Sequence, residues 1–120
     1  EFELWEKVTR TTGMVLLRPV GYHEMLRLNM GSRLLLTDSG GLQGESSVLG
    51  TPCIVLRWNT EWTVTLAEQG GTCQLAGNDV NRIRQAYEKA IQTPRKPSVP
   101  DYWDGRTAER CLEAILKASI

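Results

Sequence analysis

Two adjacent glycines, Gly40 and Gly41, follow Ser39 in the stretch TDSGGLQGE, which occupies residues 37–45. An apolar run ends just before this stretch and a helical pattern begins within it, so the glycines lie between a strand and a helix. Because glycine has no side chain, an anion could approach the main-chain amides directly, and the Ser39 hydroxyl and the helix dipole would add to its binding. These residue types in this order suit a diphosphate group.

Glu45 follows Gly41 by slightly more than one helical turn. About 400° of helical rotation separates the two positions, so the Glu45 side chain should face nearly the same side as Gly41. A carboxylate there could accept hydrogen bonds from both hydroxyls of a ribose, and a diphosphate next to a ribose indicates a nucleotide. The alternative interpretation is that Ser39 only caps the helix, the glycines only form a turn and Glu45 is solvated.

The elements that must position these residues follow from an alternation of strand and helix signals along the chain. Short apolar segments separated by helices of about ten residues favour parallel strands with right-handed crossovers. We therefore predict an α/β fold, a Rossmann-like parallel sheet with flanking helices, formed by one domain over residues 1–120. The predicted strands are 14–17, 34–37, 53–56 and 72–75.

The predicted helices have recognisable starts and ends. Ser39 should cap the helix that ends at Gly50, and Asp79 should cap the clearest amphipathic helix. The other predicted helices are 1–10, 22–29, 61–69 and about 105–117, and the proline-rich segment 93–100 should be an extended connector. The apolar residues of the last helix, which we expect to point inward, are Ala108, Cys111, Leu112, Ile115 and Leu116.

Composition excludes some classes of partner. The chain has 120 residues with 14 basic and 14 acidic side chains, so there is no general electrostatic attraction to a nucleic acid or an anionic membrane. The longest apolar runs are far shorter than the roughly 20 residues of a membrane span, and the acidic first residues do not resemble a signal peptide. Cys53, Cys73 and Cys111 are odd in number and widely spaced, which favours buried thiols in a cytoplasmic protein and gives no metal motif. We expect neither a metal nor another cofactor.

Four motifs, in this order along the chain, resemble those of a known family. They are TDSGGLQGE, the pattern SxxLGxPxIVLR that follows it, NTEW at residues 59–62, and GNDVNRI at residues 77–83. Together with the ending DYWDGRTAERCLEAI, they resemble the C-terminal domain of the non-hydrolysing UDP-N-acetylglucosamine 2-epimerases. The resemblance extends over about residues 15–116.

This resemblance implies a fold and a set of ligand contacts. It implies that the chain is the C-terminal part of a two-domain fold of the glycosyltransferase-B type, with the UDP-sugar in the cleft between the domains. By position, Ser39, Gly40 and Gly41 would contact the diphosphate and Glu45 the ribose. Val20, through its backbone, and Met25, through its side chain, fall where the family lines the uracil site.

The chain departs from the family pattern at two positions. Gly44 stands where the family commonly has a first glutamate, so Glu45 is the only carboxylate there. Trp62 stands where many members have a phosphate-binding arginine, which weakens that contact unless Arg57 substitutes for it. Trp62 could instead mark the branch of the family that accepts other UDP-aminosugars.

Other polar side chains receive less specific roles. His23 is expected to have a surface or packing role, and Asp38 is expected to bond local amides rather than substrate. No catalytic residue is assigned, because the family's catalytic acids and its histidine motif lie upstream of the matched part. The remaining expectations are Asp104 as a cap of the last helix and ion pairs of Arg106 and Arg110 with Glu109 and Glu113.

The leading hypothesis is therefore the UDP-binding C-terminal domain of a UDP-sugar 2-epimerase. The full-length family members invert C2 of the sugar by eliminating UDP and adding it back, and this part alone should be inactive. The missing N-terminal domain would be a partner within the same polypeptide, and the full-length protein would be a homodimer. Two alternatives stay open: the UDP-sugar-binding half of a glycosyltransferase of the same architecture, and a non-catalytic interaction domain.

Overall fold

The computed structural model describes residues 2–118 and the side chains of residues 3–118. Its centre is a parallel sheet of three strands in the order β1 (Leu35–Thr37), β2 (Cys53–Val55) and β3 (Cys73–Leu75). Leu35, Cys53 and Cys73 are aligned across the three strands. The parallel sheet with helical crossovers confirms the predicted α/β class.

Five helices within residues 2–118 accompany the sheet. The two helices that follow β1 and β3 begin at the predicted caps: the Ser39 side chain accepts from the amide of Leu42, and the Asp79 side chain accepts from the amide of Arg82. Gly50 ends the first of these helices in the left-handed conformation, with φ of 76°, as the sequence predicts. The helices are α1 (Phe2–Arg10), α2 (Tyr22–Gly31), α3 (Gly40–Leu49), α4 (Val80–Gln92) and α5 (Thr107–Ala118).

Strand β2 is the core of the molecule, and all three of its residues are buried. On one face, Cys53 and Val55 pack with Leu66 and Cys73. On the other face, Ile54 packs with alanines that include Ala90 of α4. A parallel strand covered on both faces reads as an uninterrupted apolar run, which explains why this strand was visible in the sequence.

The predicted first strand, 14–17, is wrong. Residues 12–21 contain no strand or helix, and the side chains of Val15 and Leu17 are 80% and 59% exposed. A strand needs a hydrogen-bonded neighbour, and sheet pairing ends at β1 within the described residues. The apolar run was real, but hydrophobicity alone does not supply a pairing partner.

The predicted helix 61–69 is also wrong, since two short 3₁₀ turns, Thr63–Thr65 and Ala67–Gln69, occupy this segment. The hydroxyl and the amide of Thr65 both donate to the carbonyl of Trp62, at 2.7 Å and 2.9 Å. The β-branched residues there disfavour an α-helix, and a threonine hydroxyl bonded to a nearby carbonyl closes a tighter turn.

The segment 93–100 is an extended connector, as predicted, and specific bonds hold it across the helices. The Arg95 guanidinium donates to the carbonyls of Ser32 and Asn29 at 2.7 Å and 3.2 Å. Further along, the Ser98 amide donates to the carbonyl of Ser47 at 2.8 Å, and the Ser47 hydroxyl donates back to the carbonyl of Ser98 at 3.1 Å. The connector is thereby fixed along α3.

The apolar face of α5 is not inward, so that prediction is wrong. Leu112 and Leu116 are 58% and 61% exposed, and Cys111 is exposed as well, although Cys53 and Cys73 are buried as predicted. The amphipathic pattern correctly grouped residues onto one side of a helix, but it did not say whether anything in the described chain covers that side.

Candidate functional site

The predicted anion-binding turn lies at the carboxyl edge of the sheet, between the end of β1 and the start of α3. The Thr37 hydroxyl accepts from the Ser39 amide at 3.1 Å and so fixes the turn; Thr37, rather than Asp38, makes this local bond. The Ser39 side chain and carbonyl accept from the amides of the third and fourth helical residues. Within residues 2–118, this leaves the amides of Gly40 and Gly41 without a hydrogen-bond acceptor, as at the open start of any helix.

The two glycines have different surroundings. A Cβ atom on Gly40 would lie 2.3 Å from Nε1 of Trp62, so packing alone disfavours a side chain there. A Cβ atom on Gly41 would meet nothing closer than the Ser39 hydroxyl, at 3.9 Å. The fold itself gives no steric reason for a glycine at position 41, whereas a ligand that approaches its amide would give one.

A cleft of about 440 Å³ opens beside this turn. Glu45 and Gly41 both line it, so the two residues face the same side, as helical geometry predicts. The Oε2 atom of Glu45 is buried and has no hydrogen-bond partner among the described residues. A buried carboxylate oxygen without a donor is costly, so a small rotation of the Glu45 side chain that let it accept from a ligand hydroxyl in the cleft would be favoured. The cleft is lined by Tyr22, Leu26, Gly41, Gly44, Glu45, Val48, Leu49, Trp62 and Trp103.

An aromatic pair forms one wall of the cleft. The rings of Trp62 and Trp103 meet edge to face, with centroids 5.9 Å apart and an angle of 90° between their planes. Trp103 also explains Gly44, since a Cβ atom there would lie 3.1 Å from Cη2 of the Trp103 ring. The glutamate that the resembled family commonly has at position 44 would therefore collide with this wall.

The wall depends on a turn at residues 100–104. Tyr102 has a positive φ of 68°, which is unfavourable for a bulky residue and persists only where surrounding contacts impose it. Those contacts come from Arg110, whose guanidinium forms two bonds to Asp104, of 2.8 Å and 2.5 Å, and lies 5.1 Å from the centre of the Tyr102 ring. The Arg110 bonds hold the pKa of Asp104 at about 2. This turn directs Trp103 into the cleft.

The Asp104–Arg110 pair corrects one predicted ion pair and leaves another unchanged. Arg110 pairs with Asp104 rather than with Glu113, because the turn brings the aspartate to the face of α5 that carries Arg110. Arg106 pairs with Glu109 at 2.8 Å, as predicted. Asp104 also accepts from the Arg106 amide at 3.1 Å, which supports its predicted role at the start of the last helix.

A second loop, residues 57–62 after β2, approaches the glycines from the other side. The Thr60 hydroxyl donates to the buried Gln43 side chain at 2.8 Å and accepts from the Trp62 amide at 3.1 Å, so the loop is attached to α3. Arg57 and Glu61 form an ion pair of 3.2 Å, and Oε1 of Glu61 lies 3.3 Å from the position of a Cβ on Gly40. The backbone amide of Glu61 and then the Arg57 guanidinium lower the pKa of the Glu61 carboxyl.

This combination of a glycine turn, a free carboxylate oxygen and a half-enclosed cleft agrees with comparisons to known proteins. The sequence profile described as UDP-N-acetylglucosamine 2-epimerase matches residues 2–116. The chain belongs to this family. It is 35% identical, over 115 residues, to the UDP-N-acetylglucosamine 2-epimerase of Methanocaldococcus jannaschii, and the match covers 96% of this chain and 31% of that protein.

One further relative and one solved structure help to define the comparison. The chain is 36% identical over 101 residues to a UDP-2,3-diacetamido-2,3-dideoxy-D-glucuronate 2-epimerase of Pseudomonas aeruginosa, a match covering 82% of this chain and 27% of that protein. The crystal structure of the M. jannaschii epimerase in complex with UDP-GlcNAc and UDP superposes with a TM-score of 0.82 at 34% identity, covering 97% of this chain and 31% of that one. The chain thus spans about a third of the length of these epimerases, and the superposition is consistent with the C-terminal Rossmann-like part of a glycosyltransferase-B-type fold.

Val20 and Met25, which the family resemblance placed at the uracil site, are not among the described residues that line the cleft. Val20 lies two residues before the start of α2, Met25 is on that helix, and both are half-buried. The side chains of α2 that line the cleft are Tyr22 and Leu26, which the sequence did not single out. His23 is exposed, with its ring 5.7 Å from that of Tyr22, in keeping with a surface role.

Residues 2–118 contain no group of three or more histidine, cysteine, aspartate or glutamate side chains arranged to hold a metal ion. Within the same range, no helix has the length and apolar character that a membrane span requires.

Proposed function

We propose that this chain is the UDP-binding C-terminal domain of a UDP-aminosugar 2-epimerase. The observation that carries the proposal is that Gly41, one of the two residues with unpaired amides at the start of α3, lines the same cleft as Glu45, which has a buried oxygen without a donor. Family membership supports it, as does the structural similarity to an epimerase crystallised with UDP-GlcNAc and UDP. The full-length protein would interconvert UDP-GlcNAc and UDP-ManNAc, or a related pair of aminosugars.

Each residue of the site would have a separate task. The amides of Gly40 and Gly41 and the hydroxyl of Ser39 would hold the diphosphate, with the positive end of the α3 dipole behind them. Glu45 would accept the ribose hydroxyls. Val20 and Met25 stay proposed contacts to the uracil base. Amides aimed at the diphosphate would stabilise the charge that develops on UDP as its bond to the sugar breaks.

The reaction also needs a base that removes the C2 proton, and we assign none within this chain. We propose that this group belongs to an N-terminal domain of the same polypeptide. Exposed apolar side chains on α1 and α5 support this, since apolar residues grouped on one exposed side of a helix are typical of a contact between domains. They include Leu4 and Trp5 of α1, and Leu112 and Leu116 of α5, each at least 58% exposed. We further propose that the full-length protein is a cytoplasmic homodimer.

Relatives with different named substrates match the chain at similar identity, so an assay of the full-length protein with several UDP-aminosugars identifies its substrate. Binding of a nucleotide would distinguish the epimerase proposal from a non-catalytic interaction domain, which would bind none. A sugar-transfer assay on the full-length protein separates it from a glycosyltransferase, since an epimerase needs no acceptor.

The test is a titration of the chain with UDP, followed through the amide resonances of Gly40 and Gly41. An isolated half-site should bind with a dissociation constant in the millimolar range, about 4 kcal/mol. Replacing Glu45 by Ala should weaken binding of both UDP and uridine about tenfold, because the ribose contact is common to both ligands. The matched control is Glu68→Ala, which removes a carboxylate outside the cleft. Unchanged glycine resonances at saturating UDP would overturn the proposal.

A further inference from the structure

We propose that the indole N–H of Trp62 is a direct donor to the diphosphate, alongside the amides of Gly40 and Gly41. This inference rests on the proposed function and adds a ligand contact to that site. It starts from the position of Nε1, which lies 2.3 Å from the place that a Cβ on Gly40 would occupy. In a helix each Cα–Cβ bond tilts toward the N-terminus, so an atom at that place lies beside the open end of α3.

The indole N–H is available for a ligand. It makes no hydrogen bond to any of the described residues, and Nε1 is not among the buried side-chain atoms that lack a partner. It is therefore both unpaired and reachable, like the amides of the first helical turn next to it. Three neutral donors thus lie close together at the start of α3, where they could bind one oxyanion.

The position of Trp62 is fixed before a ligand arrives. Its amide donates to the Thr60 hydroxyl at 3.1 Å, and its carbonyl accepts from the hydroxyl and amide of Thr65 at 2.7 Å and 2.9 Å. The ring packs edge to face on Trp103. A donor held in this way loses little conformational entropy on binding, so most of its hydrogen-bond energy would contribute to affinity.

The charges around the opening favour a phosphate contact through a neutral donor. The nearest cation on this loop, Arg57, is engaged with Glu61, whose carboxylate borders Gly40. With that pair in place, little net charge faces the ligand from the loop. Oriented N–H groups would then carry much of the diphosphate binding, and Trp62 would determine whether the site prefers UDP over uridine.

The experiment follows the four indole N–H resonances of the ¹⁵N-labelled chain during titration with UDP and, separately, with uridine. Trp62→Phe assigns the Trp62 resonance and keeps an aromatic ring against Trp103. We expect the Trp62 indole proton to move downfield with UDP and to stay nearly unchanged with uridine. We also expect Trp62→Phe to weaken UDP binding about tenfold, as for loss of a hydrogen bond to a charged group, and to leave uridine binding unchanged.

The control is Trp58→Phe, which makes the same chemical change at a tryptophan whose ring packs over Gly77. It should leave UDP binding unaltered. Normal UDP binding by Trp62→Phe, or an equal loss of UDP and uridine binding, would overturn the inference while the proposed UDP site stands. Absence of UDP binding in the unmodified chain would overturn both.

Discussion

The two neighbouring glycines should respond in opposite directions to the same substitution. Gly40→Ala would place a methyl group 2.3 Å from Nε1 and 2.8 Å from Cδ1 of Trp62, so the indole ring must move. Gly41→Ala would place its methyl group in ordinary contact, 3.9 Å from the Ser39 hydroxyl. Neither glycine is among those with positive φ, so backbone strain does not enter the comparison.

The magnitudes follow from packing and helix propensity. Overpacking a well-ordered site costs about 1–3 kcal/mol, whereas alanine gains up to about 1 kcal/mol over glycine within a helix. We therefore expect Gly40→Ala to lower the free energy of unfolding by about 1–2 kcal/mol and Gly41→Ala to leave it unchanged or raise it slightly. Gly41→Ala should nevertheless abolish UDP binding, because its methyl group would occupy the space beside the amide.

Urea unfolding at neutral pH measures the stabilities, with equal m-values showing that only stability has changed. A double-mutant cycle identifies the cause. In a Trp62→Ala background the collision is absent, so Gly40→Ala should become neutral or stabilising. If Gly40→Ala costs as much without the indole as with it, or if both glycine variants behave alike, the steric reasoning is refuted.

Two further predictions concern charged groups near the cleft. Glu61→Gln should tighten UDP binding several-fold at low salt, because it removes a negative charge beside the diphosphate and releases Arg57. The control Glu68→Gln should leave UDP binding unchanged. Isothermal titration calorimetry at two ionic strengths measures both variants. The Asp104–Arg110 pair should contribute to stability fully above about pH 4 and lose that contribution as pH falls toward 2, since the native Asp104 pKa is lowered to about 2. The stability difference between the unmodified chain and Asp104→Asn, measured by urea unfolding, should shrink over that interval, and a constant difference would contradict it.

Local signals predicted local structure well. Ser39 and Asp79 cap their helices and Gly50 ends α3, because each of these residues satisfies or terminates the backbone within a few positions of itself. Strand β2 was visible because a buried parallel strand has apolar residues on both faces. The position of Glu45 relative to Gly41 also followed from the sequence, since helical rotation alone sets it.

Features that depend on distant segments were not predictable in the same way. Residues 14–17 had the apolar composition of a strand, but a strand forms only where the segment lies against an edge of the sheet and can hydrogen-bond to it. The segment 61–69 had a helical pattern, but the Thr65 hydroxyl competes for the Trp62 carbonyl and closes a shorter turn. In both cases the hydrophobic pattern was present and a specific hydrogen-bonding requirement decided the structure.

The candidate site combines these two kinds of feature. The amides of α3 and Glu45 come from one continuous stretch, so the sequence alone places them together. Trp103 arrives from about 60 residues further along the chain, through a connector held by Arg95 and Ser98, and nothing near it in the sequence marks it as part of a cleft. The floor of the site is therefore a local motif, while its aromatic wall depends on the tertiary fold.

Substitutions in the local motif and substitutions in the aromatic wall should affect ligand binding in different ways. A change in the local motif alters the contacts to the diphosphate or ribose directly, as Gly41→Ala would. A change in the wall alters them through packing: a glutamate at position 44 would collide with Trp103, and displacing Trp103 would release the indole of Trp62. Gly44, Trp62 and Trp103 should therefore be exchanged together rather than singly. Gly44→Glu alone should weaken UDP binding, and adding Trp103→Ala should restore space for the glutamate without restoring the fixed position of Trp62.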